Sequence, residues 1–269
     1  MKMVDKMYPK ARKRFGQNFL TDQSVIDDIV SAIGPQNGQH MVEIGPGRAA
    51  ITEPLLQNCD QLDVIELDHD LVPLLRTRLI DYPQLTIHQA DALAFDYRTL
   101  VNKSEKLRVI GNLPYNITTP LLFHLLGQSD IIDDMCFMLQ KEVVERICAQ
   151  PGGKQYGRLS IMVQHQCQAE LLFIVPPEAF DPIPKVESAI IYLKPLSERR
   201  GGNVCLESLR KLVTQAFSQR RKTIANTLKK VVSSDILLSV GIDLEQRPET
   251  VTVEQYVAIT EAWLESKNH

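Results

Sequence analysis

The feature that most constrains this chain is a regular alternation of short apolar runs with stretches of helical spacing. HMVEIG (40–45), LDVIEL (62–67), LTIHQA (85–90), LRVIGN (107–112) and MCFMLQ (135–140) are each of strand length. Between them, DLVPLLRTRLI (70–80) and TPLLFHLLGQ (119–128) repeat apolar residues every three or four positions. Strands joined by helix-length crossovers run parallel, and a parallel sheet needs both faces covered. Upstream, SVIDDIVSAI (24–33) puts Val25, Ile26, Ile29, Val30 and Ile33 on one helical face, opens after Thr21 or Asp22 and stops at Gly34-Pro35. Two later runs, AELLFIV (169–175) and SAIIYLK (188–194), flank a proline-rich loop and are expected to end the sheet as an antiparallel pair. The predicted fold class is α/β and Rossmann-like, with a mainly parallel sheet. After Lys194-Pro195 the strand pattern stops; SERRGGN (197–203) reads as a linker, and the remaining segments have helical spacing. The expected division is a catalytic domain over 1–198 and a small all-helical domain over 199–269.

Charge adds a second constraint. The net charge is −3, yet residues 1–14 carry +5 and residues 199–230 carry +8, leaving −16 on the rest. An acidic body with two basic patches suits an anionic polymer as partner. Five scattered cysteines without C-x-x-C spacing argue against a disulfide framework or a zinc site and for a reducing, cytoplasmic setting. No apolar run reaches the roughly 18 residues of a membrane span, and no secretory signal pattern opens the chain.

In an open parallel sheet, ligands gather at the carboxyl ends of the strands. The first such end reads Glu43-Ile44-Gly45-Pro46-Gly47-Arg48-Ala49-Ala50, a G-x-G-x-x-A turn in which Gly45 and Gly47 let backbone approach a ligand. The second ends in Glu66, 21 residues after Gly45, the spacing of a ribose-binding carboxylate. These two ends leave NAD and S-adenosylmethionine both open. The third supplies Asp91, suited to an adenine amino group, and the fourth reads Asn112-Leu113-Pro114-Tyr115, for which hydride transfer has no use. An exocyclic adenine amine is a poor nucleophile because its lone pair is delocalised into the ring. The Asn112 side-chain oxygen and a backbone carbonyl at Leu113 or Pro114 can accept its two N–H bonds, while Tyr115 stacks on the base. No metal is required.

These residues resemble the adenine-N6 dimethyltransferases of ribosomal RNA, over roughly residues 11–265. Arg12 to Leu20 (RKRFGQNFL) is similar to the family's cofactor segment, Phe180 to Ser188 (FDPIPKVES) to its target-base loop, and Ala216 to Thr223 (AFSQRRKT) to its motif in the helical domain. The resemblance implies an S-adenosylmethionine-dependent methyltransferase fold, with Asn18 and Leu20 contacting the cofactor beside Gly45, Gly47, Glu66, Asp91 and Asn112. It implies that Phe180 is a second aromatic at the base, and that Arg220, Arg221 and Lys222 meet RNA. The substrate implied is 16S rRNA in a small subunit or its precursor, dimethylated at two adjacent adenosines in a hairpin loop near the 3′ end, by a monomeric enzyme with no membrane association. A 23S rRNA methyltransferase conferring antibiotic resistance and a non-catalytic ribosome-assembly factor are the competing readings. The complete C-terminal motif counts against the first, and the intact strand ends count against the second.

Overall fold

The computed structural model describes residues 17–102, 105–219 and 221–267. The chain divides into two compact units: one runs to Lys141 and resumes over Glu170–Pro195, the other takes Glu142–Ala169 and everything from Leu196 on.

The predicted runs form a seven-stranded sheet that belongs to the first unit except for residues 167–169. Its strands are β2 (His40–Ile44), β3 (Gln61–Glu66), β4 (Leu85–Gln89), β5 (Leu107–Asn112), β6 (Ile132–Gln140), β7 (Cys167–Val175) and β9 (Ser188–Pro195), in the order β4-β3-β2-β5-β6-β9-β7. β4, β3, β2, β5 and β6 are parallel neighbours, and β9 runs antiparallel to β6, pairing Met135 with Leu193 through to Gln140 with Ser188. The order turns back beside β2: the chain first builds outward through β3 and β4, then returns to place β5 on the other side. This is the switch point at which an open sheet leaves a crevice.

The helices follow from the same periodicity. α1 (Gln23–Ile33) is capped by Asp22, whose carboxylate accepts from the backbone N–H of Ser24 and Val25, and it buries Ile26, Ile29 and Ile33. Gly34 ends it at φ 54, a left-handed conformation that glycine adopts without strain. α2 (Thr52–Leu56), α3 (Leu71–Arg78) and α4 (Thr118–Leu126) supply the crossovers. α1 and α2 pack with β2, β3 and the far strands into one apolar core that includes Ile29, Met41, Leu55, Leu62 and Ile190. A two-stranded ribbon that no periodicity announced joins β1 (Phe19–Leu20) to β8 (Phe180–Asp181), pairing Leu20 with Phe180. The histidines on β2 and β4 tie the sheet together: His40 and His88 both bond the buried Asp63 of β3, at 2.6 and 2.5 Å.

The second unit is helical: α5 (Lys141–Cys148), α6 (Arg158–Gln164), α7 (Leu206–Ala216), α8 (Ile224–Leu228), α9 (Ser234–Ser239) and α10 (Val253–Glu265), with the first residue of α5 still in the first unit. Its core gathers Leu209, Leu212, Val213, Leu228, Val257 and Tyr256. The expected boundary near 198 thus differs from the compact units, because residues 142–169 join the helical one. α5 and α6 lie between two sheet strands in sequence, and only contacts distant along the chain assign them to the other unit. Among the described residues, no helix is long and apolar enough to cross a membrane.

β5 and β2 approach closely at Gly111. A Cβ on Gly111 would stand 2.5 Å from the carbonyl oxygen of Ile44, a backbone atom that cannot swing aside. Gly111→Ala is therefore expected to destabilise the protein by about 1–3 kcal/mol, as overpacking does, read as a lowered denaturant midpoint at unchanged slope.

Candidate functional site

The carboxyl ends of β2, β3, β4 and β5 open into one cavity of about 350 Å³, all of it within the first unit. The structure brings to its wall every predicted site residue of that unit: Asn18, Leu20, Gly45, Gly47, Glu66, Asp91, Asn112, Leu113, Pro114, Tyr115 and Phe180. Arg220 and the stretch 12–16 lie outside the described residues. Arg221 and Lys222 belong to the second unit, exposed in the turn between α7 and α8 rather than on a helix face.

The glycine turn is shaped by three left-handed residues: Gly45 at φ 70, Gly47 at φ 58 and, more costly for a side chain, Ala49 at φ 64. A Cβ on Gly47 would meet the Phe19 ring at 3.3 Å, so the bare backbone lets β1 close over the turn. The Arg48 guanidinium lies 4.1 Å above the same ring. Within the turn, Gly45 N donates to Ile65 O at 2.9 Å and Ala49 N to Pro46 O at 2.8 Å, which holds its shape.

Glu66 is buried at the end of β3, where its carboxylate accepts from Asp68 N at 2.8 Å and Gly47 N at 3.3 Å. Burial raises its pKa, and these two backbone bonds oppose the rise. Two oxygens offer about four acceptor sites, so capacity for hydroxyl donors remains. Asp91 is exposed, with one oxygen held by Leu93 N at 2.9 Å.

At the end of β5, Asn112 Nδ2 donates to the backbone oxygen of Asn18 at 3.3 Å, which leaves its side-chain oxygen for another donor. The Pro114 carbonyl already accepts from Ile117 N (3.1 Å) and Thr118 Oγ1 (3.2 Å). That selects Leu113 as the carbonyl able to take a second N–H. Tyr115 is half-buried and its hydroxyl bonds Ser188 Oγ at 3.1 Å, which steadies the ring. Phe180 is only 3% exposed, so little of its ring is open to the cavity.

Glu43, Phe19, Arg48 and Ser188 stood inside the quoted motifs without a role of their own, and all lie at or beside this wall. Glu43 had a signal, a charge inside the apolar run HMVEI. Ser188 showed only as the last residue of FDPIPKVES, and its contact with Tyr115 depends on the β6–β9 pairing. Glu43 is 2% exposed and lines the cavity, and its Oε2 has no hydrogen-bond partner among the described residues. Burial pushes its pKa up to about 7, and the nearby Glu66 carboxylate adds to the rise.

A family described as "Ribosomal RNA adenine dimethylase" matches residues 8–264. The chain belongs to that family. It is 53% identical over 258 residues to a protein of Nitrosococcus oceani named "Ribosomal RNA small subunit methyltransferase A", covering 96% of this chain and 98% of the relative. A protein of the same name from Cronobacter sakazakii is 56% identical over 247 residues, covering 91% and 90%. Among solved structures, a dimethyladenosine transferase from Plasmodium falciparum superposes with a TM-score of 0.78 at 23% identity, covering 93% of this chain and 98% of that one. The 23S rRNA methyltransferase ErmE superposes at 0.72 with 24% identity, covering 91% and 99%. The fold is thus that of the S-adenosylmethionine-dependent methyltransferases, as expected.

The raised Glu43 carboxyl makes a signed prediction. Its folded pKa of about 7 exceeds the ordinary 4.5, so the native state holds its proton more tightly than the unfolded chain. The favourable contribution is complete below the unfolded value and is lost as pH rises through about 7. Glu43→Gln, which cannot ionise, should match wild type near the acid end and exceed it at alkaline pH by a gap on the order of 3 kcal/mol. Ligand-free melting curves across that range check this; parallel curves for the two proteins would refute it.

Proposed function

We propose that this protein dimethylates N6 of two adjacent adenosines in a hairpin loop near the 3′ end of 16S rRNA, within a small subunit or its precursor, using S-adenosylmethionine. The observation that carries the reading is the pairing, in one cavity, of the glycine turn and Glu66 with an Asn112-Leu113-Pro114-Tyr115 wall, in a chain more than half identical to small-subunit rRNA methyltransferases.

The residues fit the donor. S-adenosylmethionine supplies an already activated sulfonium methyl. Glu66 accepts from the ribose hydroxyls, Asp91 from the adenine amine, and the oxygen of Glu43 that has no partner among the described residues adds a buried carboxyl group for a cationic ligand. Leu20 of β1 and Asn18 just before it close the cavity. For the acceptor, Asn112 Oδ1 and the Leu113 carbonyl take the two N–H bonds of the target amine. This draws its lone pair out of conjugation and aims it along the line of attack. Tyr115 stacks on the extruded base, Phe180 bounds it as a second aromatic, and Pro114 stiffens the turn. The proton leaves after attack, so neither a metal nor a strong base is invoked. Arg220, Arg221 and Lys222 bind RNA phosphates. The sheet unit carries the chemistry, the helical unit holds RNA, and the protein works as a cytoplasmic monomer.

Asn112→Ala should lose transfer chiefly in the chemical step, seen in single-turnover assays at saturating cofactor on subunits lacking the modification. Near-normal chemistry there, or label on cytosine, would overturn the mechanism. Tyr115→Phe should keep most activity, whereas Tyr115→Ala should lose about 1–3 kcal/mol of stacking.

Replacing Arg220, Arg221 and Lys222 together by alanine should weaken RNA binding and flatten its salt dependence, with cofactor affinity spared. An unchanged slope of affinity against salt would place the RNA surface elsewhere.

A further inference from the structure

The segment between β8 and β9 contains a feature that the reading above does not use. Ile183 is 65% exposed and Val186 43%, three residues apart on one short loop. A lone exposed isoleucine carries no message, but this loop is tied at both ends to the proposed base pocket. At one end Phe180 lines the cavity and pairs with Leu20. At the other, Ser188 holds the Tyr115 hydroxyl, and Glu187 is fastened to Lys141 through the backbone at 3.0 Å and the side chains at 2.7 Å. Pro182 and Pro184 restrict the backbone on either side of Ile183. The apolar tip is thus presented on a stiff support rather than left to collapse onto the core. Lys185, also exposed, lies between the two apolar residues in sequence.

Extruding a base leaves its neighbour with a bare face and a gap one base thick, and apolar side chains are what proteins insert at unstacked steps. We infer that Ile183 and Val186 cover the nucleotide beside the extruded adenine and hold the step open, while Lys185 takes the flanking phosphate. The inference rests on the RNA reading above, because a pair of adjacent adenosines sets a purine against the loop whenever its partner enters the pocket. These are positioning residues: they touch the neighbour, not the reacting amine.

The test is single-turnover methyl transfer to saturating small subunits lacking the modification, using Ile183→Ser/Val186→Ser, with melting point and calorimetric cofactor affinity as controls of folding. The rate should fall on the order of tenfold to a hundredfold, the scale of an unstacking cost, at unchanged cofactor affinity. Ile183→Leu/Val186→Leu should restore most of it. Subunits carrying uridine in place of the neighbouring adenosine should narrow the deficit of the serine variant, since a pyrimidine stacks less and needs less wedging. A wild-type rate at saturation would overturn the proposal, including the case of weakened subunit affinity alone, which would make the loop a docking contact for a ribosomal protein. An equal deficit on both substrates, or a leucine variant as slow as the serine one, would overturn it too. If the wild-type enzyme transfers nothing to unmodified subunits, the RNA reading fails, and this inference fails with it.

Discussion

The site depends on β2 and β5 lying side by side with no room to spare. These strands are far apart in sequence, and the chain must build β3 and β4 before it returns. Only a residue without a side chain permits the contact of Gly111 with the Ile44 carbonyl. That contact sets the glycine turn after β2 beside Asn112 at the end of β5. On the proposed reading it therefore fixes the distance between methyl donor and acceptor. A loop could not hold that distance as well, because the two strands are locked by register from His40–Leu107 to Glu43–Ile110.

Most of this frame was legible in the sequence because period carries it. Strand-length apolar runs, crossover lengths and the Gly34 stop give the parallel sheet and its order of elements without any tertiary information. The strand ends were legible for a related reason: a polar or glycine residue at the end of an apolar run is conspicuous, and all such ends of a parallel sheet face one edge. The expected cavity residues accordingly meet at one wall.

What the sequence hid depends on pairings distant along the chain. The β1–β8 ribbon joins residues about 160 positions apart through two short strands, too short to show a period. Ser188 reaches Tyr115 only because β9 inserts between β6 and β7. Helices α5 and α6 sit in sequence among the sheet strands yet belong to the other compact unit, which no local composition could reveal. Glu43 is the instructive case: its charge was visible, but whether it would be turned to solvent or sealed into the wall depended on how the neighbouring strands covered it.

Dimethylation adds a last constraint on the Asn112 turn. On the proposed mechanism the unmodified amine offers two N–H bonds to two acceptors, Asn112 Oδ1 and the Leu113 carbonyl, but after one transfer only one N–H remains. The two acceptors are not equivalent. The Leu113 carbonyl is backbone, fixed by the Leu113 N bond to Met138 O at 3.1 Å. Asn112 Oδ1 belongs to a side chain whose orientation is set by the bond from Nδ2 to Asn18 on the segment leading into β1. On that same mechanism the first methyl sits against the acceptor that can yield, which is the side chain, while the remaining N–H keeps the rigid carbonyl. Movement of Asn112 in the second turnover would be transmitted to Asn18 and so to the strand proposed to close the donor cavity. On this reading the second transfer is gated by the segment that retains the cofactor, and the two methylation steps need not share one rate.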